Sequence, residues 1–178
     1  MQGIERIPCA TGDKHMQHAA AALLALALAG PAAAQEPERI DPAATRACVE
    51  EALARGAAPT GCVEAAHAPC LAVPAETKMV ASLCFETARQ DWSGAIAARM
   101  ATLRETAPEQ IAALAGIEVK YDLLASLLQC DRLEELARLR ETPAEDVLLQ
   151  EARCAATAAG LAYIRLVARL PDPGTGQD

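Results

Sequence analysis

Beyond residue 34 the chain carries one histidine, His67, and three serines, Ser82, Ser93 and Ser126. A serine or cysteine hydrolase needs a nucleophile beside a base, so any triad would have to run through His67. The surrounding residues, CVEAAHAPC, do not resemble a nucleophile elbow, and a working base needs a third group to orient it. His67 therefore reads as a surface or loop-packing side chain. Glu86 and Asp91 lie near Trp92, as a glycan hydrolase might arrange its acids. Such chemistry also needs a cleft lined by aromatics, and the chain has one Trp, two Tyr and one Phe. The two acids read as a solvated helix face. Trp92 falls on an apolar stripe and reads as core before ligand platform. No glycine-rich phosphate loop or dinucleotide fingerprint is present, and Gly160, alone inside the last helical stretch, is expected at a close helix contact. The expectation is no catalytic residue, no cofactor and no enzymatic activity.

The cysteines are the most informative residues. Of seven, Cys9 lies in the segment read below as a leader, leaving Cys48, Cys62, Cys70, Cys84, Cys130 and Cys154. An even set in an exported protein points to disulfides before metal. A zinc site would want close pairs such as C-x-x-C with histidines nearby, whereas the shortest interval is Cys62 to Cys70 and the one histidine beyond residue 34 is His67. Six cysteines allow 15 connectivities, and the sequence alone selects none. A simple reading joins consecutive pairs, Cys48 with Cys62, Cys70 with Cys84 and Cys130 with Cys154, each stapling two successive helical segments. CVEEA at 48–52 nearly repeats as CVEAA at 62–66, but this is too short for a solenoid and reads as chance similarity in Ala- and Glu-rich helix.

The reading of export rests on AAAALLALALA at 19–29, followed by Gly30, Pro31 and a run of alanines. An apolar block of that length before small residues is a secretory signal, too short to anchor stably in a bilayer. Cleavage is expected after Ala34, with initiation at Met1 or Met16. The remaining chain, 35–178, is expected to be periplasmic or secreted, with no membrane span. A net charge of −8 does not suit nucleic acid or anionic lipid, whose phosphates call for clustered Lys and Arg; it suits a basic protein partner.

These residues must be positioned by helices, because no alternating, β-branched run of strand length occurs. Asp41-Pro42 opens a helix over 42–55 that ends at Gly56, with a short helical piece at 62–67. Met79, Val80, Leu83, Cys84, Ala88, Trp92, Ile96, Met100 and Leu103 form a stripe on a long helix over 75–105, weakened at Gly94. Thr106 to Glu109 reads as a stop and a new start, giving helices over 108–115 and 117–140. The second of these carries Tyr121, Leu124, Leu127, Leu128, Leu133, Leu136 and Leu139, and alternating charge over 131–141. Thr142-Pro143-Ala144-Glu145 reads as a capping box opening a helix from 143 to about 170. Pro171 and Pro173 stop that helix, and the tail 171–178 is expected to be disordered. The fold class is all-α: a small disulfide-stapled bundle of about four to five helices, in one domain over 35–170.

The C-x7-C-x13-C frame at Cys62, Cys70 and Cys84, Trp92 eight residues later, Ile96 and Met100 beyond it, and the later pair Cys130 and Cys154 together resemble the lysozyme-inhibitor LprI-like family of bacterial envelope proteins. The likeness covers 62–103 well and 130–170 loosely. Polar positions of that family are replaced here by Ala88, Ser93 and Ala97, and VKYDLLASLLQ precedes Cys130 in place of its Trp-containing signature. The resemblance implies a helical fold and an activity of binding and blocking a lysozyme, with no inhibitory residue carried over. Two other readings stand beside it: an envelope structural or adaptor protein that binds another protein, and a carboxylate-dependent glycan hydrolase.

Overall fold

The computed structural model describes residues 39–170, all within one compact unit. The expected leader at 1–34 and tail at 171–178 lie outside the described residues. Among these, every regular element is α-helical: α1 Pro42–Ala54, α2 Gly61–Ala66, α3 Ala68–Leu71, α4 Lys78–Thr106, α5 Glu109–Leu139 and α6 Ala144–Arg169. The protein is an all-α, disulfide-stapled bundle.

Local chemistry explains the boundaries. Asp41 Oδ1 accepts hydrogen bonds from the N–H groups of Ala43 and Ala44 at 2.8 and 3.2 Å, and Pro42, which has no N–H to satisfy, fills the first helical position. At the other end of α1, Gly56 takes φ +67°, which lets the N–H of Ala57 reach the carbonyl of Ala52 and closes the helix. Pro108 and Pro143 stand in extended conformation just before α5 and α6. The structure corrects the expected capping box. Helix α6 begins at Ala144, one residue later than Thr142 capping requires, and no side chain caps it. Glu145 and Asp146 instead turn to Lys78 Nζ, at 3.0 and 2.7 Å, joining the first turns of α4 and α6. The expected break near residue 116 is also absent. Gly116 is an ordinary helical residue, so 108–115 and 117–140 are one helix.

Helix α6 is central, packing extensively on both α4 and α5 while those two touch each other sparsely; α1 and α2 lie across it. Its middle is built from Ala156, Ala158, Ala159, Gly160 and Ala162, all buried, and small side chains permit close approach. At Gly160 a Cβ would sit 2.7 Å from Val63 Cγ1 and 3.0 Å from Trp92 Nε1, so the close contact read from sequence is with α2 and α4 together. The core gathers there: Val49, Val63, Phe85, Ala88, Trp92, Ile96, Met100, Tyr163 and Ile164.

Three disulfides cross-link successive helices: Cys48–Cys62 joins α1 to α2, Cys70–Cys84 joins α3 to α4, and Cys130–Cys154 joins α5 to α6, with Cα separations of 5.9, 5.5 and 5.7 Å. Disulfides persist in oxidising compartments, so the protein belongs outside the cytoplasm. Among the described residues no helix is long and apolar enough to cross a membrane.

Candidate functional site

Most of the side chains singled out for chemistry have a structural partner. Of the surface and loop-packing readings of His67 the structure has the second: between α2 and α3 it is 3 % exposed, and its Nε2 accepts a hydrogen bond from Trp92 Nε1 at 3.0 Å. An accepting Nε2 places the proton on Nδ1 in the neutral ring. The edge of His67 meets Phe85 at 5.4 Å between centroids, and Trp92, fully buried, lies tilted against Tyr163 at 5.4 Å. Tyr163 completes the cluster by donating its hydroxyl to the Pro42 carbonyl at 3.1 Å. Burial, and secondarily the charge of Arg153, push the His67 pKa down to about 4. A ring that holds its lone pair toward an indole N–H is a core acceptor, so His67 is neutral at physiological pH.

Glu86 and Asp91 do not form a carboxylate pair. Arg89 grips Glu86 through Nε at 2.8 Å and a second guanidinium nitrogen, and Gln90 adds a longer hydrogen bond. The Arg89 contact holds the Glu86 carboxyl below its ordinary pKa. Asp91, nearly buried, accepts the Ile40 N–H at 3.0 Å and pairs with Arg39, pinning the strand of chain before α1 onto α4. Ser82 and Ser93 donate to the helical carbonyls of Lys78 and Arg89, both at 2.9 Å. Every one of the six cysteines is oxidised, and among the described residues no group of three or more His, Cys, Asp and Glu stands close enough to hold a metal.

Ser126 lines an open groove of about 880 Å³ between α5 and α6, together with Gln129, Gln150, Arg153, Thr157 and Leu161, over the Cys130–Cys154 disulfide. No histidine lines it, so the Ser126 hydroxyl has no base at hand. Asp122 and Arg165 pair across its side at 3.2 Å. Its lining mixes Leu149 and Leu161 with the amides of Gln129 and Gln150 and the charges of Asp122, Asp146, Arg153 and Arg165.

The surface feature least expected from sequence is α5 itself. Ala112, Ala115, Val119, Leu123, Cys130 and Ala137 turn inward. On the opposite side Leu114, Ile117, Tyr121, Leu124 and Leu128 stand exposed at alternating three- and four-residue spacing, Tyr121 by 61 %. Leu127, Leu133, Leu136 and Leu139 are exposed as well. The row that periodicity offers for burial therefore faces outward, and the early stripe residues Met79, Val80 and Leu83 of α4 do the same. A second residue that sequence reasoning passed over is Arg99. It is buried on α4 and donates to the Leu170 carbonyl at the end of α6, where the helix dipole favours a cation. No signal short of tertiary contact marks it.

No family model, curated protein or solved structure matches the chain.

Proposed function

We propose that this chain works by binding another protein, in the periplasm or as a secreted protein, and not by catalysis. The observation that carries this reading is the outward face of α5. A helix apolar on both sides is a helix built to be covered on both sides. Monomers rarely expose a contiguous apolar patch of more than a few hundred Å² unless something binds there. The groups that catalysis would need are meanwhile engaged in holding the fold: Asp91 by Arg39 and Ile40, Glu86 by Arg89, His67 by Trp92.

For the class of partner we propose a basic protein, with a lysozyme as the case to test. The net charge of −8 has the right sign, and the resemblance of the cysteine and Trp92 frame to lysozyme inhibitors supports the choice. Complementary charge chiefly raises the association rate and brings salt dependence. The test is a lysis assay with the oxidised protein titrated against a basic lysozyme at low and high salt. Dose-dependent inhibition that weakens with salt is the expected result. Absence of inhibition at micromolar protein would discard the lysozyme, and stable recovery with an envelope protein would then favour the adaptor role.

A further inference from the structure

We infer that the outward row of α5, Leu114, Ile117, Tyr121, Leu124 and Leu128, is the contact through which two copies of this chain pair. The inference rests on the reading of this face as a protein-binding surface; it gives the face to a second copy and leaves the basic partner to the acidic surface elsewhere on the molecule. Three observations on the molecule point to a second copy.

The first is spacing. Steps of three, four, three and four residues keep the row on one line of the helix for four turns, which is the pattern two helices need to interlock side by side. An isologous contact requires a patch that complements itself, and a straight apolar row does so about a two-fold axis. Because α4 barely touches α5, the row stands clear of the rest of the bundle and an identical helix can approach along it.

The second is charge. Along 114–128 the acids beside the row, Glu118 and Asp122, lie on its α6 side and are paired with Arg169 and Arg165 at 2.9 and 3.2 Å; Lys120 is exposed on the other flank, and the exposed acids of that face, Asp131 and Glu135, come only after Leu128. The row is therefore charge-compensated on a molecule of net charge −8. A basic partner gains little by meeting neutralised carboxylates. A second copy, which carries the same excess of acid, can approach only where that excess is cancelled.

The third is area. With Ile111 and Leu127 at its edges, the row exposes roughly 600 Å² of apolar side chain, most of the ~800 Å² that each partner contributes to an interface of standard size. Pairing there leaves the unpaired acids of the other helices facing solvent, available to a basic protein.

The experiment is sedimentation equilibrium of the oxidised mature chain, 35–178, at low and high salt, beside Tyr121→Glu, Leu124→Glu and a control, Leu53→Glu, at an exposed site on α1. The expected result is a species of twice the chain mass whose association tightens with salt, as repulsion between like-charged copies is screened. A carboxylate at the centre of the row should weaken association by at least ~100-fold, and the control should leave it unchanged. Circular dichroism should be the same for all four proteins, since each site is solvated in the single chain. A chain that remains a monomer at hundreds of micromolar overturns the inference, as does a dimer indifferent to Tyr121→Glu and Leu124→Glu. The lysis assay on the same proteins separates the two proposals. A dimer that inhibits nothing retains the pairing and removes the lysozyme. A monomer whose inhibition is lost in Tyr121→Glu retains the binding function and gives the face to the lysozyme, overturning the pairing.

Discussion

Protonating His67 at Nε2 would set an imidazolium N–H against the indole N–H of Trp92, replacing a buried hydrogen bond with two opposed donors beside Arg153. A histidine whose folded pKa is about 4, against 6.5 unfolded, binds its proton less readily when folded. Its stabilisation is complete above pH 6.5 and is lost as pH falls toward 4, an effect of about 3 kcal/mol. Trp92 is the only tryptophan, so its fluorescence reports the event directly. We expect quenching with a midpoint near pH 4 and a stability that declines over pH 6.5 to 4. In His67→Gln, which keeps an acceptor but does not titrate, that decline should flatten. A midpoint near 6.5 would place His67 in solvent and refute the buried acceptor. Two of the helical glycines, Gly94 and Gly160, make an opposed pair at the same scale. Nothing lies within 4 Å of a Cβ at Gly94, so Gly94→Ala should gain up to about 1 kcal/mol of helix propensity. Gly160→Ala drives a methyl into Val63 and Trp92 and should lose about 1–3 kcal/mol in spite of the same propensity gain. Urea midpoints that move in the same direction would contradict this geometry.

The helix ends show how closely element boundaries follow local chemistry. Helices α1 and α5 close with the same backbone pattern: the Gly56 and Glu141 N–H groups reach back three residues, and those of Ala57 and Thr142 reach back five. The pattern demands a left-handed residue, and α1 supplies glycine at φ +67° whereas α5 uses Glu141 at φ +57°. A side chain there costs about 1 kcal/mol, so Glu141→Gly should raise thermal stability modestly, and a lower Tm would show that the Glu141 side chain contributes something its exposure does not suggest. Boundaries of this kind were legible: Asp41-Pro42, Gly56 and Pro143 lie in the sequence where their helices start or stop. The orientation of α5 was not legible. Its residues 112–128 are apolar on two opposite sides, and periodicity cannot choose between a row of Leu, Ile and Tyr and a row of mostly Ala. The choice is made by tertiary packing on α6, which takes Ala112, Ala115, Val119 and Leu123 against the core and leaves the Leu, Ile and Tyr row outside. Burial of His67 was hidden for a related reason, since its acceptor role exists only once Trp92, 25 residues away, comes alongside.

At the scale of the molecule, firmness is unevenly distributed, and the disulfides show where. Helices α1, α2, α4 and α6 share the aromatic cluster of Trp92, Phe85 and Tyr163, which buries large area and ties four elements together. Helix α5 stands on α6 through a narrow seam of Ala112, Ala115, Val119, Leu123 and Ala137, with two half-exposed ion pairs of the kind that contribute little, and with Cys130–Cys154. Each disulfide closes a loop of 14 or 24 residues and stabilises by about 3 kcal/mol on the loop-entropy account. Equal contributions to global stability need not have equal local consequences, because regions with few buried apolar contacts open first. Replacing Cys130 and Cys154 by serine should therefore release α5 selectively: its amides should exchange faster by orders of magnitude while those of α4 and α6 near Trp92 keep their protection. Replacing Cys48 and Cys62 should instead lower protection across the aromatic cluster, since Val63 on α2 and Pro42 on α1 both contact it. Hydrogen exchange read helix by helix distinguishes the two patterns. If both double replacements loosened all helices equally, the division into a firm core and a stapled outer helix would be wrong. If α5 alone is released, the element that carries the outward apolar row is also the one whose position depends most on an oxidising environment. The surface proposed to bind would then be assembled only in a compartment where Cys130–Cys154 can form.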